Sequence, residues 1–348
     1  MTGDPSLDDR RARYRGFGKE RPQWYLKNGS RALYKEVVTR LRPRPQVAGR
    51  PIVILFTQRS GSTWLVELLR TLEGMVSLQD PILERNSFHY ARLYGFPQRH
   101  YYYQPEDLAA ATPFLRRVLE LRRVAALDLD EVPHDRAARV RPVIKVSNAP
   151  WSDAYWRETF DAEVFRLMRH PVLAARSQMK FFRMPMHLDY SLGFPAVQER
   201  LSADQLAVCK AALASGDEKR QRICEVFLEN LPAFGPAPAP TPLIHYEDLI
   251  ARNFEALDFV ASVDPDWRAK FEASFDRPSR SSTGGKVVGK TRRAELDAEE
   301  AAVFADCVAA FQAEAFLPIW SGEPEAAGAA PATGTATGTE AAAQGGAA

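Results

Sequence analysis

Pro51-Ile-Val-Ile-Leu-Phe-Thr57 is an unbroken apolar, β-branched run; the polar turn Gln58-Arg-Ser-Gly-Ser62 follows, and then Thr63 to Leu72, where Leu65, Leu68, Leu69 and Leu72 recur at helical spacing. A run without polar alternation is the pattern of a strand buried on both faces. The stretch therefore reads strand, loop, helix. Working outward, Arg141-Pro-Val-Ile-Lys-Val-Ser147 and Glu163-Val-Phe-Arg-Leu-Met168 repeat the strand pattern, and the second leads into a helix over Val172 to Phe182. A further strand is expected at Leu243-Ile-His245. Helices are expected at 105–127, 203–215, 217–230, 253–262 and 298–313, and no fixed-period repeat is present. Strands alternating with helices specify an α/β fold with a parallel sheet covered on both faces.

This pattern sets the domain boundaries. Residues 1–48 read as a basic N-terminal arm with one helix near Ser30 to Leu41, residues 49–320 as the folded domain, and residues 321–348 as an Ala/Gly/Thr-rich tail. The tail's composition offers too little apolar surface to offset the entropy of ordering it. Formal net charge is +2, so the chain has no global polyanion-binding signature and any basic site is local. The arm from Arg10 to Arg50 is such a local concentration, either a solvated helical face or an electrostatic funnel for an anionic ligand. No nucleic-acid partner is expected, because aromatic interleaving is sparse and no recognition motif occurs. Cys209, Cys224 and Cys307 have no metal-type spacing and read as reduced thiols. The polar start at Met1 to Asp9 does not resemble a secretory signal, and the longest apolar run, Ile52 to Phe56, is too short to span a bilayer. The expectation is a cytoplasmic protein without a transmembrane segment.

The chemistry concentrates in Arg59-Ser-Gly-Ser-Thr-Trp64, placed where a strand ends and a helix begins. Unpaired amides at a helix start favour anions, Gly61 permits a tight turn, and Ser60, Ser62 and Thr63 offer hydroxyls. Arg59 adds a cation able to make paired hydrogen bonds to an oxyanion. Serine- and threonine-rich helix starts also arise through capping alone. The Walker pattern needs Gly-Lys-Ser/Thr, whereas this chain has Gly61-Ser62-Thr63 with its cation before the glycine. No acidic residue is evident at the end of a hydrophobic strand to hold Mg²⁺, the strand at 163–168 ending in Met168-Arg169 instead. The expectation is that the protein supplies its own cations and no metal.

Arg59-Ser-Gly-Ser-Thr-Trp64 resembles the 5′-phosphosulfate-binding loop of sulfotransferases that use 3′-phosphoadenosine 5′-phosphosulfate, more closely the bacterial, carbohydrate and tyrosylprotein types than the small-phenol ones. Leu167-Met-Arg-His-Pro-Val-Leu-Ala-Ala-Arg-Ser177 resembles the family's 3′-phosphate segment, with Arg169 at a strand end and Ser177 eight positions later. The resemblance implies a P-loop-like three-layer fold and transfer of a sulfuryl group to an acceptor hydroxyl, on a small molecule or a carbohydrate. It implies that Arg59, with Ser60, Gly61, Ser62, Thr63 and Trp64, holds the phosphosulfate, and that Arg169 and Ser177 hold the 3′-phosphate. Arg176 reads as a surface charge. In the glycine-rich basic stretch Ser279 to Arg293, Lys286, Lys290 and Arg292 are candidates for a loop closing over the nucleotide, in a form that departs from the family's usual Arg-Lys-Gly. His245-Tyr-Glu-Asp-Leu249 also resembles a recurring family segment and reads as structural.

Sulfuryl transfer needs a base for the acceptor proton. The Lys-Thr-His of the small-phenol members is here Lys145-Val-Ser147, so their histidine is missing, while Lys145 remains placed to touch the sulfuryl group. Carbohydrate- and tyrosylprotein-type members use a carboxylate shortly after the first loop. The resemblance implies Asp80, twenty-one positions after Arg59, then Glu84, with His89 third. Phe88, Tyr90, Tyr94, Phe96 and Tyr101 to Tyr103 would line an acceptor pocket or pack in the core. Two other readings remain: a P-loop-type kinase or nucleotide hydrolase, and a non-catalytic nucleotide-binding scaffold.

Overall fold

A computed structural model describes residues 43–82, 105–122, 132–133, 135–147, 149–181, 188–234, 241–277 and 295–321, together with Val37 and Leu41. The strands are β1 (Gln46–Val47), β2 (Ile52–Phe56), β3 (Met75–Gln79), β4 (Arg139–Val146), β5 (Glu163–Met168) and β6 (Leu243–His245). The helices are α1 (Ser62–Leu69), α2 (Pro105–Leu119), α3 (Asp153–Phe160), α4 (Pro171–Phe181), α5 (Leu188–Leu192), α6 (Ala203–Ala214), α7 (Glu218–Glu229), α8 (Tyr246–Ile250), α9 (Trp267–Ser274), α10 (Ala298–Phe311) and α11 (Leu317–Ser321). A single turn at Pro195–Gln198 and 3₁₀ segments at Leu231–Ala233, Glu255–Ser262 and Glu314–Phe316 complete the path.

Every strand pairing is parallel. The order β4-β2-β5-β6 runs through the centre, and both β3 and the short β1 pair with β4. The sheet thus begins at Gln46, inside the stretch expected to be an arm. From β2 the chain builds β3 and β4 on one side, then crosses to build β5 and β6 on the other. The end of β2 is therefore a topological switch point, where an open α/β sheet leaves a crevice past the carboxyl ends of its strands.

All five residues of β2 are buried. Ile52, Ile54 and Phe56 pack with Leu65, Leu68 and Leu69 of α1, while Val53 and Leu55 meet Leu115 of α2 and Trp156 of α3 on the other face. Two covered faces leave no position for a polar residue, and each such side chain contributes about 1.5–3 kcal/mol. Beyond β5, Met168 and Val172 open a third cluster with Phe227 of α7, Phe311 of α10 and Trp320 of α11.

One sequence expectation is corrected. The short run Met75-Val-Ser-Leu-Gln79 is a strand, and Asp80 follows it directly, so an acidic residue does end a hydrophobic strand. The Ser77 inside it interrupts the apolar run, although Ser77 is buried and accepts from Arg70 Nε. The helix expected at 253–262 is a 3₁₀ segment: its buried residues, Leu257 and Val260, are three apart, the spacing that a threefold helix places on one line. The expected helices at 105–127 and 298–313 end earlier, at Leu119 and Phe311. The three cysteines, distant in sequence, converge where α6, α7 and α10 meet, with Cys224 Sγ 3.7 Å from Cys209 Sγ and 3.8 Å from Cys307 Sγ. All three are free and buried. Among the described residues no helix is long and apolar enough to cross a membrane.

Candidate anion site at the switch point

Strand register decides which residues meet. Phe56 pairs with Leu167, Leu55 with Val146, Gln79 with Lys145, and Met168 with His245. The residues just past those pairs, Thr57 to Gly61, Ser147, Asp80, Arg169 and Tyr246, therefore gather at one edge.

The loop after β2 is bent hard. Arg59 has φ 70° and Gly61 φ 92°, both in the left-handed region, where a non-glycine residue such as Arg59 is held at a cost of about 1–3 kcal/mol. Gly61 caps α1 without a side-chain hydrogen bond, so the first amides of that helix are not consumed by a capping hydroxyl. A Cβ at Gly61 would lie 2.4 Å from Tyr246 Cδ2; only glycine lets the loop lie on that ring. Two amide side chains tether the loop from behind: Gln178 Nε2 donates to Gln58 O at 2.9 Å, and Asn230 Nδ2 donates to Thr57 Oγ1 at 2.9 Å.

Arg59 and the Arg169–Ser177 pair come together across this edge. Arg59 Nε donates to Ser177 Oγ at 3.1 Å, and Arg169 Nη1 donates to the Arg59 carbonyl at 3.0 Å. Arg169 also lies over the Tyr246 ring, its Cζ 4.8 Å from the centroid. Burial first, and then the charge of Arg169, lower the pKa of Arg59, while the Tyr246 hydroxyl acts the other way. Two guanidinium groups that repel at a partly buried edge are an arrangement that an anion would relieve. Arg169 Nε has no hydrogen-bond partner among the described residues, and neither has the buried Ser60 Oγ. Such unmet donors fit a ligand rich in acceptor oxygens.

A second group sits beside the first. Lys145 Nζ donates to Thr63 Oγ1 at 3.3 Å, lies 3.8 Å from Asp80 Oδ2, and rests over the Phe56 ring. Asp80, at φ 38°, accepts from both the amide and the hydroxyl of Ser147 through Oδ1, at 2.9 and 2.8 Å. A lysine, a carboxylate and a helix-start hydroxyl are thus within one contact of each other.

Other expected residues fall elsewhere. Trp64 turns inward, packing edge-on against Tyr246 and Phe275 at 6.0 and 5.3 Å. Ser62 is buried. Arg176 pairs with Glu300 of α10 and donates to Glu295 O. Glu84, His89, the aromatic residues from Phe88 to Tyr103, and Lys286, Lys290 and Arg292 lie outside the described residues, as do the tail beyond Ser321 and most of the arm. Sequence reading missed Tyr246, Gln178, Asn230 and Ser147. For Tyr246 and Ser147 the available signal was position: each follows a strand, as Arg169 does.

No family model matches the chain, and no curated protein is similar enough to count as a relative.

Proposed function

We propose that the chain is a sulfotransferase that binds 3′-phosphoadenosine 5′-phosphosulfate at this edge and moves its sulfuryl group to an acceptor hydroxyl. The observation that carries the reading is the meeting of Arg59 with Arg169 and Ser177 beside the uncapped start of α1. Two cations, donors on Ser60 and Arg169 with no partner among the described residues, and a helix start without a side-chain cap suit a nucleotide with anionic groups at both its 5′ and 3′ positions.

In this reading the nucleotide supplies the sulfuryl group and leaves as the bisphosphate. Transfer of this kind, like loose phosphoryl transfer, depends on positioning and on stabilising charge. Arg59 and the α1 amides hold the oxyanions, and Lys145 offsets charge on the transferred group and the departing oxygen. Asp80 takes the acceptor's proton as the new oxygen–sulfur bond forms and the old one breaks, its electron pair remaining on the phosphate. Ser147 and Lys145 keep Asp80 oriented for that step.

One observation favours a second reading, a P-loop-type kinase or nucleotide hydrolase: Asp80 ends β3 close to Thr63 and Lys145, a carboxylate near a helix-start hydroxyl. Turnover assays separate the two. Sulfuryl transfer predicts bisphosphate release from the phosphosulfate donor, supported by a hydroxyl acceptor and unaffected by EDTA. Asp80→Asn should lower that turnover roughly a hundredfold to ten-thousandfold with donor affinity preserved. Magnesium-dependent hydrolysis of ATP, with no reaction of the sulfate donor, would replace the first reading with the second. Donor binding without turnover on any acceptor would point to a non-catalytic scaffold.

A further inference from the structure

Glu247, in the first turn of α8, is a buried carboxylate directly behind the anion site. Its Oε1 accepts from the backbone amide of His170 at 2.9 Å, which fixes the chain immediately after Arg169. Its Oε2 is buried with no hydrogen-bond partner among the described residues. No carboxylate among the described residues lies within ion-pair distance of Arg169, whose recorded contacts are the Arg59 carbonyl and the Tyr246 ring. Glu247 lies beside Arg169 on two counts: it is next in sequence to the tyrosine under the guanidinium, and it holds the amide of the residue after Arg169.

We propose that Glu247 is the proton-linked counter-charge of the anion site, a positioning residue that takes up a proton when an anion binds at Arg169. With the site vacant, an ionised Glu247 partly balances Arg169. A bound anion competes for the same cation and places a second negative charge near a buried carboxylate. Neutralising Glu247 by a proton from solvent resolves the conflict, and Oε1 still accepts the His170 amide. The proposal rests on the anion site and, for its natural ligand, on the sulfotransferase reading.

The surroundings bear on the sign. Burial raises Glu247 to about 7, opposed by the His170 amide, by its own backbone amide and by Arg169, and reinforced by Asp248. From the end of β5, Arg169 brings charge and His170 is held neutral, burial lowering it to about 4. From the loop Arg59 faces the shared Tyr246, His245 on the preceding strand is likewise lowered to about 4, and α11, packed against α8, carries no titratable residue. Glu247 is therefore the group of this set poised near neutrality.

The test is calorimetric titration of the full chain with 3′-phosphoadenosine 5′-phosphate in buffers of different ionisation enthalpy, above about pH 7, where phosphate groups carry their full charge. The wild type should take up a proton on binding. Its affinity should fall by up to about tenfold per pH unit as long as the bound-state carboxyl stays protonated. Glu247→Gln, which imitates the neutral form and keeps the His170 contact, should bind without that uptake and with a flat pH profile. Equal proton uptake in the two proteins would overturn the proposal. A parallel titration with inorganic sulfate, which does not titrate near neutrality, keeps the two readings distinct. Sulfate binding with Glu247-dependent uptake but no nucleotide binding would support the linkage and remove the nucleotide; binding of neither ligand would remove both.

Discussion

Arg166 and Arg169 stand three residues apart at the end of the same strand, and they do opposite things. Arg166 is fully buried, pairs with Asp153 Oδ2 at 2.7 Å and donates to the carbonyls of Pro150 and Glu229. Asp153 in turn accepts from Thr241 Oγ1. Although Arg166 Nε, like that of Arg169, has no hydrogen-bond partner among the described residues, here an internal carboxylate answers the charge. Arg169, half-buried at the edge, has a carbonyl and a ring for company, and Arg59 close enough to repel it. The residue type is the same, and the answering charge differs. Where the protein supplies the counter-ion, the arginine fastens α3 and the Thr241 segment to the sheet. Where the protein brings cations together and places no carboxylate in ion-pair contact, the arginine is, in the proposed reading, available to an anion from outside.

The contrast can be broken most directly by exchanging the two losses. Arg166→Ala strands Asp153 without its partner in the interior and should cost about 3–5 kcal/mol of folding stability, read from urea denaturation. Arg169→Ala removes a hydrogen bond to a neutral carbonyl and a contact with the Tyr246 ring but also a repulsion from Arg59, and Glu247 can answer the loss by taking up a proton, so stability should fall by no more than about 2 kcal/mol. Comparable stability losses in the two variants would erase the distinction.

A smaller effect sharpens it through pH. His170, next to Arg169, and His245, at the end of β6, are both buried and both held near 4, below their ordinary 6.5. A lowered histidine pKa means that the unfolded chain binds protons before the folded one does. Stability is therefore fully present above about pH 6.5 and is lost as pH falls toward 4, by up to roughly 3 kcal/mol per histidine. His245→Phe, a ring of similar shape beside Phe316, should flatten its share of that decline in thermal melts taken across the window. An unchanged acid profile would show that His245 is protonated in the fold without penalty.

The central strands were readable because their composition left little choice. The continuous apolar run at 52–56 leaves no face for water, and 163–168, whose Arg166 is itself buried, and 243–245 also lie where expected. β3 was hidden by Ser77, and α3 by the small number of apolar residues it buries, Trp156 chief among them. The site was legible only in part. Arg59, Gly61, Arg169 and Ser177 could be named because a motif marks them, and the structure gathers them at one edge. Tyr246, Gln178 and Asn230 owe their places to register and helix packing, which bring residues more than one hundred positions apart into contact. No local pattern carries that information. Asp80 lay between these cases: visible as a candidate carboxylate, but not as the residue ending a strand.

The most direct measurement is the affinity of the protein for 3′-phosphoadenosine 5′-phosphate by calorimetry, in the wild type, Arg59→Ala and Arg169→Ala. The account predicts that the wild type binds. Each variant should lose one or more charge-assisted hydrogen bonds at about 1.5–3 kcal/mol apiece, a loss of roughly tenfold to more than a hundredfold, while remaining folded. Affinity that is the same in all three proteins would contradict it.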